Sequence, residues 1–209
     1  MKFFRRLHKD VDVKPLLAEI DTQQDAWLAN TNRQDKIFVQ RHTNTIFLRG
    51  AAARSDLHVN ENQESVATKM SGRFPLAINF LAKVADDLKC SLSRATIVRL
   101  KPQSHVGVHI DVGSYYLIRD RYHLVLQSRS GSVLQSGNEQ IRMREGELWW
   151  FDNKQHHSSL NESEEWRIHY VFDLLPAAYE KLATNPVPLE LLRRNAASTQ
   201  ANQLPPTNS

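Results

Sequence analysis

Short segments in which polar and apolar residues alternate dominate the second half of this chain, and they limit its fold more than any other feature. The strongest cover residues 95–100, 122–127 and 166–174, and turn sequences around Gly131 and Gly137 lie between them. Alternation with a period of two is typical of strands that bury one face. Because turns recur at intervals of about ten residues, the pattern predicts a mainly β protein built as an antiparallel barrel or jelly roll.

Two helices and one further strand are predicted upstream of these segments. Residues 13–27 and 74–88 place apolar side chains at helical intervals, and residues 43–50 have the composition of a strand ended by glycine. We expect both helices to buttress one outer face of the barrel, which would cover about residues 43–175. Residues 51–65 are expected to form a loop beside the pocket mouth.

The length of 209 residues fits one domain, predicted over residues 1–180, with a C-terminal tail over residues 181–209. Pro186 and Pro188 interrupt a helical remnant in that tail, and the segment after Ala196 is polar and lacks aromatic residues. The tail is therefore predicted to be partly helical and then disordered.

The composition narrows the classes of partner and compartment. Hydrophobic residues make up 41% and charged residues 24%, as in globular proteins. The single cysteine, Cys90, excludes an internal disulfide, and the sequence has neither a secretory signal nor an apolar run of membrane-spanning length. These features predict a cytoplasmic protein without a membrane partner. The net charge of +4 comes from scattered basic residues, which favour anionic small molecules over nucleic acid.

One short motif near the middle of the chain, His109-Ile110-Asp111, predicts a metal site. On an extended segment the side chains of His109 and Asp111 point to the same side, and a third ligand can come from another strand, at His157. Two imidazoles and one carboxylate on one face of an octahedron are the ligands of non-haem iron(II) sites. His156 is the alternative third ligand, because strand alternation allows only one of the two adjacent histidines to point inward.

Basic residues on two other predicted strands could bind anions near this site. Arg119, Arg121 and His123 fall on one face of their segment, and Arg167 lies near the start of the last segment. A planar guanidinium makes two parallel, charge-assisted hydrogen bonds to a carboxylate, which suits Arg167 to an anionic ligand. Since one such ligand needs fewer cations, at least one of the other arginines is predicted to meet an anionic group on a substrate.

Four features of the chain together resemble the aspartyl/asparaginyl β-hydroxylase family. They are the His-x-Asp motif, the Arg-x-Arg-x-His run over residues 119–123, Phe151-Asp152-Asn153 with the following His157, and Arg167. The resemblance covers roughly residues 95–175. It implies an iron(II)- and 2-oxoglutarate-dependent dioxygenase on a double-stranded β-helix, that is, a jelly-roll or cupin-like fold.

The resemblance also implies a role for each site residue. The family's spacing selects His157 over His156, so the implied iron ligands are His109, Asp111 and His157. Arg167 would pair with the distal carboxylate of 2-oxoglutarate. The family's pocket pattern would place His123 toward this co-substrate and Arg121 and Arg119 toward the substrate.

One departure from the family pattern concerns Asp111. Animal members carry glycine there and bind iron through two histidines, whereas this chain keeps the carboxylate. It is similar in this respect to the bacterial branch, which includes free-proline hydroxylases. Halogenating relatives of the wider superfamily have a small residue at this position, so hydroxylation is favoured over halogenation.

The expected activity is hydroxylation of an amino acid or peptidyl residue of the aspartate, asparagine or proline type, with succinate and CO₂ as co-products. It would need iron(II), 2-oxoglutarate and O₂, with ascorbate as a candidate stimulant; the sequence assigns no oligomeric state. A non-catalytic cupin-like sensor that binds metal and 2-oxoglutarate is the alternative. A zinc-dependent cupin isomerase or hydrolase would explain the ligands but not Arg167 or the Arg-x-Arg-x-His run.

Other polar and aromatic residues near these segments are predicted to have supporting roles. The histidines at 105, 123 and 169 are expected to be pocket or core groups and not ligands, and Trp149, Trp150 and Trp166 are expected to pack. Arg49 and Arg99 flank strands from which they could reach the pocket.

Overall fold

The protein is built mainly from two antiparallel β-sheets. The structure, a computed structural model, describes residues 1–31, 37–52, 58 and 60–183. The strands are β1 (Phe4–His8), β2 (Thr43–Ala51), β3 (Ser65–Ala67), β4 (Cys90–Leu100), β5 (Ser104–His109), β6 (Asp120–Gln127), β7 (Ser132–Ser136), β8 (Glu139–Ile141), β9 (Leu148–Phe151), β10 (His157–Asn161) and β11 (Arg167–Pro176).

The strands divide into a seven-stranded major sheet and a four-stranded minor sheet. The major sheet has the order β1-β9-β6-β11-β4-β2-β3, and the minor sheet has the order β5-β10-β7-β8. From β4 to β11 the chain passes repeatedly between the two sheets. This arrangement is a double-stranded β-helix, as the sequence predicts.

Two helices cover the outer face of the major sheet. Helix α1 spans Lys14–Asp21 and helix α2 spans Pro75–Asp87, and each has a proline in its first turn, where a missing backbone N–H costs little. Their apolar faces join the main hydrophobic core, to which α2 contributes Ala77, Leu81 and Val84. The predicted helix over residues 74–88 is therefore confirmed within one residue at each end. Two short helices, α3 (Ser114–Leu117) and α4 (Glu180–Ala183), lie elsewhere.

The first helix is shorter than the sequence predicts. Residues 13–27 have a helical apolar pattern, but α1 ends at Asp21 and a separate 3-10 helix spans Gln24–Leu28. Gln23 leaves the helical region with φ of −126° and ψ of 42°, and its side-chain oxygen accepts hydrogen bonds from Arg73. Arg73 also binds Asp25, so a tertiary contact replaces the continued helix.

The inner face of the major sheet differs from its outer face in chemistry. On β11, Tyr170 and Phe172 pack in the main core toward the helices, whereas Arg167 and His169 line an internal cavity. On β6, His123 has the same inward direction. The period-two pattern predicts this division, and it places a row of buried polar groups opposite the minor sheet.

The remaining predictions about the chain have mixed outcomes. The strand predicted over residues 95–100 begins earlier, at Cys90, the first residue of β4. The expected loop over residues 51–65 lies partly outside the described residues. The tail from residue 184 onward lies wholly outside them, and the domain boundary at residue 180 stays a prediction. Among the described residues, no helix has both the length and the apolar character to cross a membrane.

Candidate metal centre

Pairing between β5 and β10 brings the two predicted histidine ligands together. His109, the last residue of β5, is the partner of His157, the first residue of β10, and their ring centroids lie 4.2 Å apart. Asp111 follows two residues beyond the end of β5. One ligand atom from each of the three side chains lies within 4.8 Å of the others. The three predicted ligands therefore converge on one point.

Both histidines are held in the tautomer that metal binding requires. The Nδ1 of His109 donates to the carbonyl oxygen of Gly107 at 2.8 Å, and the Nδ1 of His157 donates to that of Gln155 at 2.9 Å. In a neutral imidazole the proton on Nδ1 leaves Nε2 as an acceptor. Such contacts to backbone carbonyls are the usual orienting partners of metal-binding histidines.

Asp111 lies beyond the end of β5, and tertiary contacts hold its carboxylate. The backbone N–H of Asp111 donates to the carbonyl oxygen of Asn153 at 3.4 Å, and the Asn153 side-chain amide donates to Asp111 Oδ2 at 3.0 Å. Arg121 donates a short hydrogen bond to the same oxygen. Burial would raise the pKa of Asp111, but Arg121 and His157 hold it well below its usual range.

Arg121 links this carboxylate to a second one. Its Nε and Nη2 donate to the two oxygens of Asp173, at 2.8 Å and 3.0 Å, while Nη1 binds Asp111. Burial lowers the pKa of Arg121, but the two carboxylates raise it well above its usual value. Arg121 also lines the cavity, so its predicted contact with substrate stays a prediction. Its charge is nevertheless already matched by protein groups.

Arg119 occupies a different place from the one predicted. It precedes β6 and does not follow the alternation of that strand, and its side chain is buried away from the cavity lining. Its guanidinium donates to Ser93 Oγ and Asn62 Oδ1 and to the carbonyl oxygens of Tyr115 and Gln63. The prediction that Arg119 shares the inward face of Arg121 and His123 is therefore wrong, whereas its role in substrate binding stays a prediction.

A cavity of about 590 Å³ lies between the two sheets beside the histidine pair. Its lining includes His109 and His157 from the minor sheet and Arg121, His123, Arg167 and His169 from the major sheet. Burial lowers the pKa of His157 to about 4, against an opposing effect of Asp111. His157 is therefore neutral at physiological pH, as a metal ligand must be.

Arg167 lies in this lining as a buried cation. Only 8% of its surface is exposed, and burial lowers its pKa to about 10. Among the described residues no carboxylate pairs with Arg167. Its Nη2 lies 3.2 Å from Nδ1 of His169, and this same nitrogen lies 3.1 Å from Nδ1 of His123. Burying an unpaired cation is costly, so the position suits an anionic ligand.

The other candidates from the sequence separate into cavity and packing residues. His156 is not in the converging group, and its carbonyl oxygen accepts a hydrogen bond from Gly137. Arg49 lines the cavity, whereas Arg99 lies between the rings of Trp27 and Trp166.

Two supporting residues have no role in the prediction from sequence. Asn153 holds Asp111 directly, and Asp173 holds it through Arg121. Each is separated from Asp111 by about 40 or more residues in the sequence. Asn153 belongs to the Phe151-Asp152-Asn153 run that carries the resemblance, and Asp173 continues the inward alternation of β11. Those positions are the only signal for them in the sequence.

A model of the family described as Aspartyl/Asparaginyl beta-hydroxylase matches residues 40–176. An L-proline cis-4-hydroxylase of Rhizobium meliloti (strain 1021) is 30% identical over 125 residues, which cover 59% of this chain and 44% of the relative. The chain thus matches less than half of that relative's length.

A solved structure supports the fold. The prolyl-4-hydroxylase of Pseudomonas putida is 12% identical, with a TM-score of 0.50 over 83% of this chain and 92% of that one. The family model alone covers more than half of this chain and includes the strands that carry the converging side chains. The chain therefore belongs to the aspartyl/asparaginyl β-hydroxylase family.

Proposed function

We propose that the protein is an iron(II)- and 2-oxoglutarate-dependent dioxygenase that hydroxylates an amino acid or peptidyl residue. The observation that carries the proposal is the convergence of His109, Asp111 and His157 beside a cavity that also contains the buried Arg167, with which no carboxylate of the described residues pairs.

The donor set fits iron(II). His109, Asp111 and His157 each offer one ligand atom, and these atoms lie within 4.8 Å of one another. Two histidines and one carboxylate, with the remaining positions open, are the set that non-haem iron(II) oxygenases use. His109, Asp111 and His157 would hold the ion, and Arg121 and Asn153 would orient Asp111.

Arg167 is proposed to hold the distal carboxylate of 2-oxoglutarate. It is buried and has no protein counter-charge among the described residues, so a ligand carboxylate would supply both the charge and the hydrogen-bond acceptors. His123, in the same lining, is proposed as a second contact to the co-substrate. Iron, when bound, supplies the activation of O₂ that couples conversion of 2-oxoglutarate to succinate and CO₂ with hydroxylation.

The remaining cavity is proposed to take an amino acid, free or within a peptide, of the aspartate, asparagine or proline type. The volume of about 590 Å³ is within the range of small-molecule sites. The relative from Rhizobium meliloti is an L-proline hydroxylase, which makes L-proline the first substrate to test.

The test is oxygen-dependent turnover. Protein loaded anaerobically with iron(II) and 2-oxoglutarate is exposed to O₂ with L-proline, L-aspartate, L-asparagine or short peptides, with and without ascorbate. We expect succinate and a product heavier by one oxygen atom. His157→Ala should remove both signals, while His105→Ala, which changes an exposed histidine on β5, should keep them.

The same experiment separates the proposal from a binding protein. Bound 2-oxoglutarate that persists unchanged after exposure to O₂, with every substrate tested, would support a sensor and contradict the proposed enzyme.

A further inference from the structure

Two of the arginines that line the cavity, Arg121 and Arg167, have partners of opposite kind. Arg121 binds Asp173 through two hydrogen bonds, so a protein carboxylate cancels its charge. Arg167, on the neighbouring strand, contacts the imidazole of His169 at 3.2 Å, and no carboxylate among the described residues pairs with it. Asp173 and His169 both belong to the inward face of β11. The difference between their side chains therefore sets which arginine remains available for an anion.

The contact with Arg167 determines how His169 is protonated. A guanidinium can only donate hydrogen bonds, so Nδ1 of His169 must be the unprotonated acceptor. Burial and the neighbouring Arg167 lower the pKa of His169 well below its usual value, so the ring is neutral. Its proton is then on Nε2. The Nδ1 of His123 lies 3.1 Å from the same atom.

Packing alone does not account for a histidine at this position. His169 is 1% exposed, and its partners on the two adjacent strands are both valines, Val98 on β4 and Val125 on β6. Its Nε2 is buried without a hydrogen-bond partner in the described part of the protein. Leaving such a group unpaired costs stability, which a third valine or a leucine would avoid. A function that needs the Nδ1 acceptor would explain the histidine.

We propose that His169 is a positioning residue: its neutral Nδ1 orients the Arg167 guanidinium without cancelling its charge, so that the distal carboxylate of 2-oxoglutarate meets a pre-oriented cation. This inference rests on the proposed function. A carboxylate at the same position would orient Arg167 as well, but would also compete with the ligand. An apolar residue would leave the charge of Arg167 available but would let its guanidinium group rotate. A neutral imidazole satisfies both requirements.

The test measures binding and not turnover. Zinc-loaded protein, which cannot perform redox chemistry, is titrated calorimetrically with 2-oxoglutarate and separately with pyruvate, which has the same 2-oxo acid end but no distal carboxylate. We expect His169→Leu to weaken 2-oxoglutarate binding about tenfold, as loss of one oriented charge-assisted contact would. Pyruvate binding should not change, because pyruvate does not reach Arg167.

Two further variants and one control sharpen the result. His169→Asn keeps a neutral acceptor and should restore most of the affinity, whereas His169→Asp should weaken 2-oxoglutarate binding more than leucine does. His105→Leu, an exposed histidine on β5, is the matched control and should bind normally.

Three results would overturn the inference: normal binding by His169→Leu, equal weakening for both ligands, or no recovery with asparagine. Wild-type protein that binds metal but not 2-oxoglutarate would instead overturn the proposed function itself.

Discussion

Replacement of Asp173 by asparagine tests whether the chain from Asp173 through Arg121 to Asp111 supports the metal centre. Asp173 is 2% exposed and accepts hydrogen bonds of 2.8 Å and 3.0 Å from Arg121. Asparagine has nearly the same shape but keeps one acceptor and no charge. Each hydrogen bond to a charged group contributes about 1.5–3 kcal/mol, and breaking a buried ion pair costs about 3–5 kcal/mol. We expect the unfolding free energy to fall by about 3 kcal/mol.

The same substitution should weaken metal binding. Without Asp173, the Arg121 guanidinium has Asp111 as its remaining carboxylate partner, and it should draw that carboxylate away from the ion. Loss of an outer orienting partner typically lowers metal affinity about 10–100-fold. Urea unfolding of the metal-free protein and titration with cobalt(II) measure the two effects. Asp87→Asn, in an exposed pair with Lys83, is the control and should change neither quantity.

A stable Asp173→Asn protein with wild-type metal affinity would refute this reasoning. It would mean that Arg121 keeps its position through other contacts, and that Asp111 is oriented by Asn153 without help from β11.

Three further predictions address other parts of the site. Arg167→Gln should weaken 2-oxoglutarate binding about 100-fold without changing metal affinity, since a charge-assisted pair contributes about 3 kcal/mol. Calorimetry measures both affinities, and an unchanged dissociation constant for 2-oxoglutarate would contradict the proposed role of Arg167. Arg119→Met should lower the unfolding free energy by about 3 kcal/mol, because four acceptors lose a buried donor. The KM for substrate should not change, and a selective rise in KM would instead support the predicted role of Arg119 in substrate binding. Metal-free protein should lose stability between pH 7 and pH 5. Burial lowers the pKa of His157 from 6.5 to about 4, so the unfolded state takes up its proton first as the pH falls, and His157 alone should account for about 2 kcal/mol at pH 5. Urea unfolding of His157→Gln should show a pH loss smaller by that amount, and equal losses would contradict the depressed pKa.

The sequence predicts the direction of side chains best on strands that alternate with a period of two and bury one face against a core. The inward direction of Arg167 and His169, opposite Tyr170 and Phe172, follows from alternation on a strand that has a core on one face. The convergence of His109 and His157 is predicted as well, because a His-x-Asp motif and a later histidine on another strand match one ligand set.

The prediction that Arg119 lies on one face with Arg121 and His123 is wrong because alternation applies only inside a strand. Arg119 lies between the end of α3 at Leu117 and the start of β6 at Asp120, so the pleat of β6 does not direct its side chain. No local pattern in the sequence marks this boundary. Boundaries of elements depend on tertiary contacts more than their existence does.

The supporting roles of Asn153 and Asp173 could not be predicted for a different reason. Each acts on Asp111 or Arg121 from a distant part of the chain, and each is a short polar residue of a type that also occurs in turns and on surfaces. The contact depends on strand register, which the fold sets. The shortened α1 has the same origin, because the Arg73 contact with Gln23 joins two segments far apart in sequence.

Titration of the metal-free protein with iron(II) under argon tests the central claim most directly. The account predicts one ion per chain, with affinity falling by about 100-fold or more when His109, Asp111 or His157 is replaced singly by alanine, and no loss for the neighbouring His156→Ala. Tight binding that survives replacement of both His109 and His157, or no binding by the wild-type protein, would contradict it.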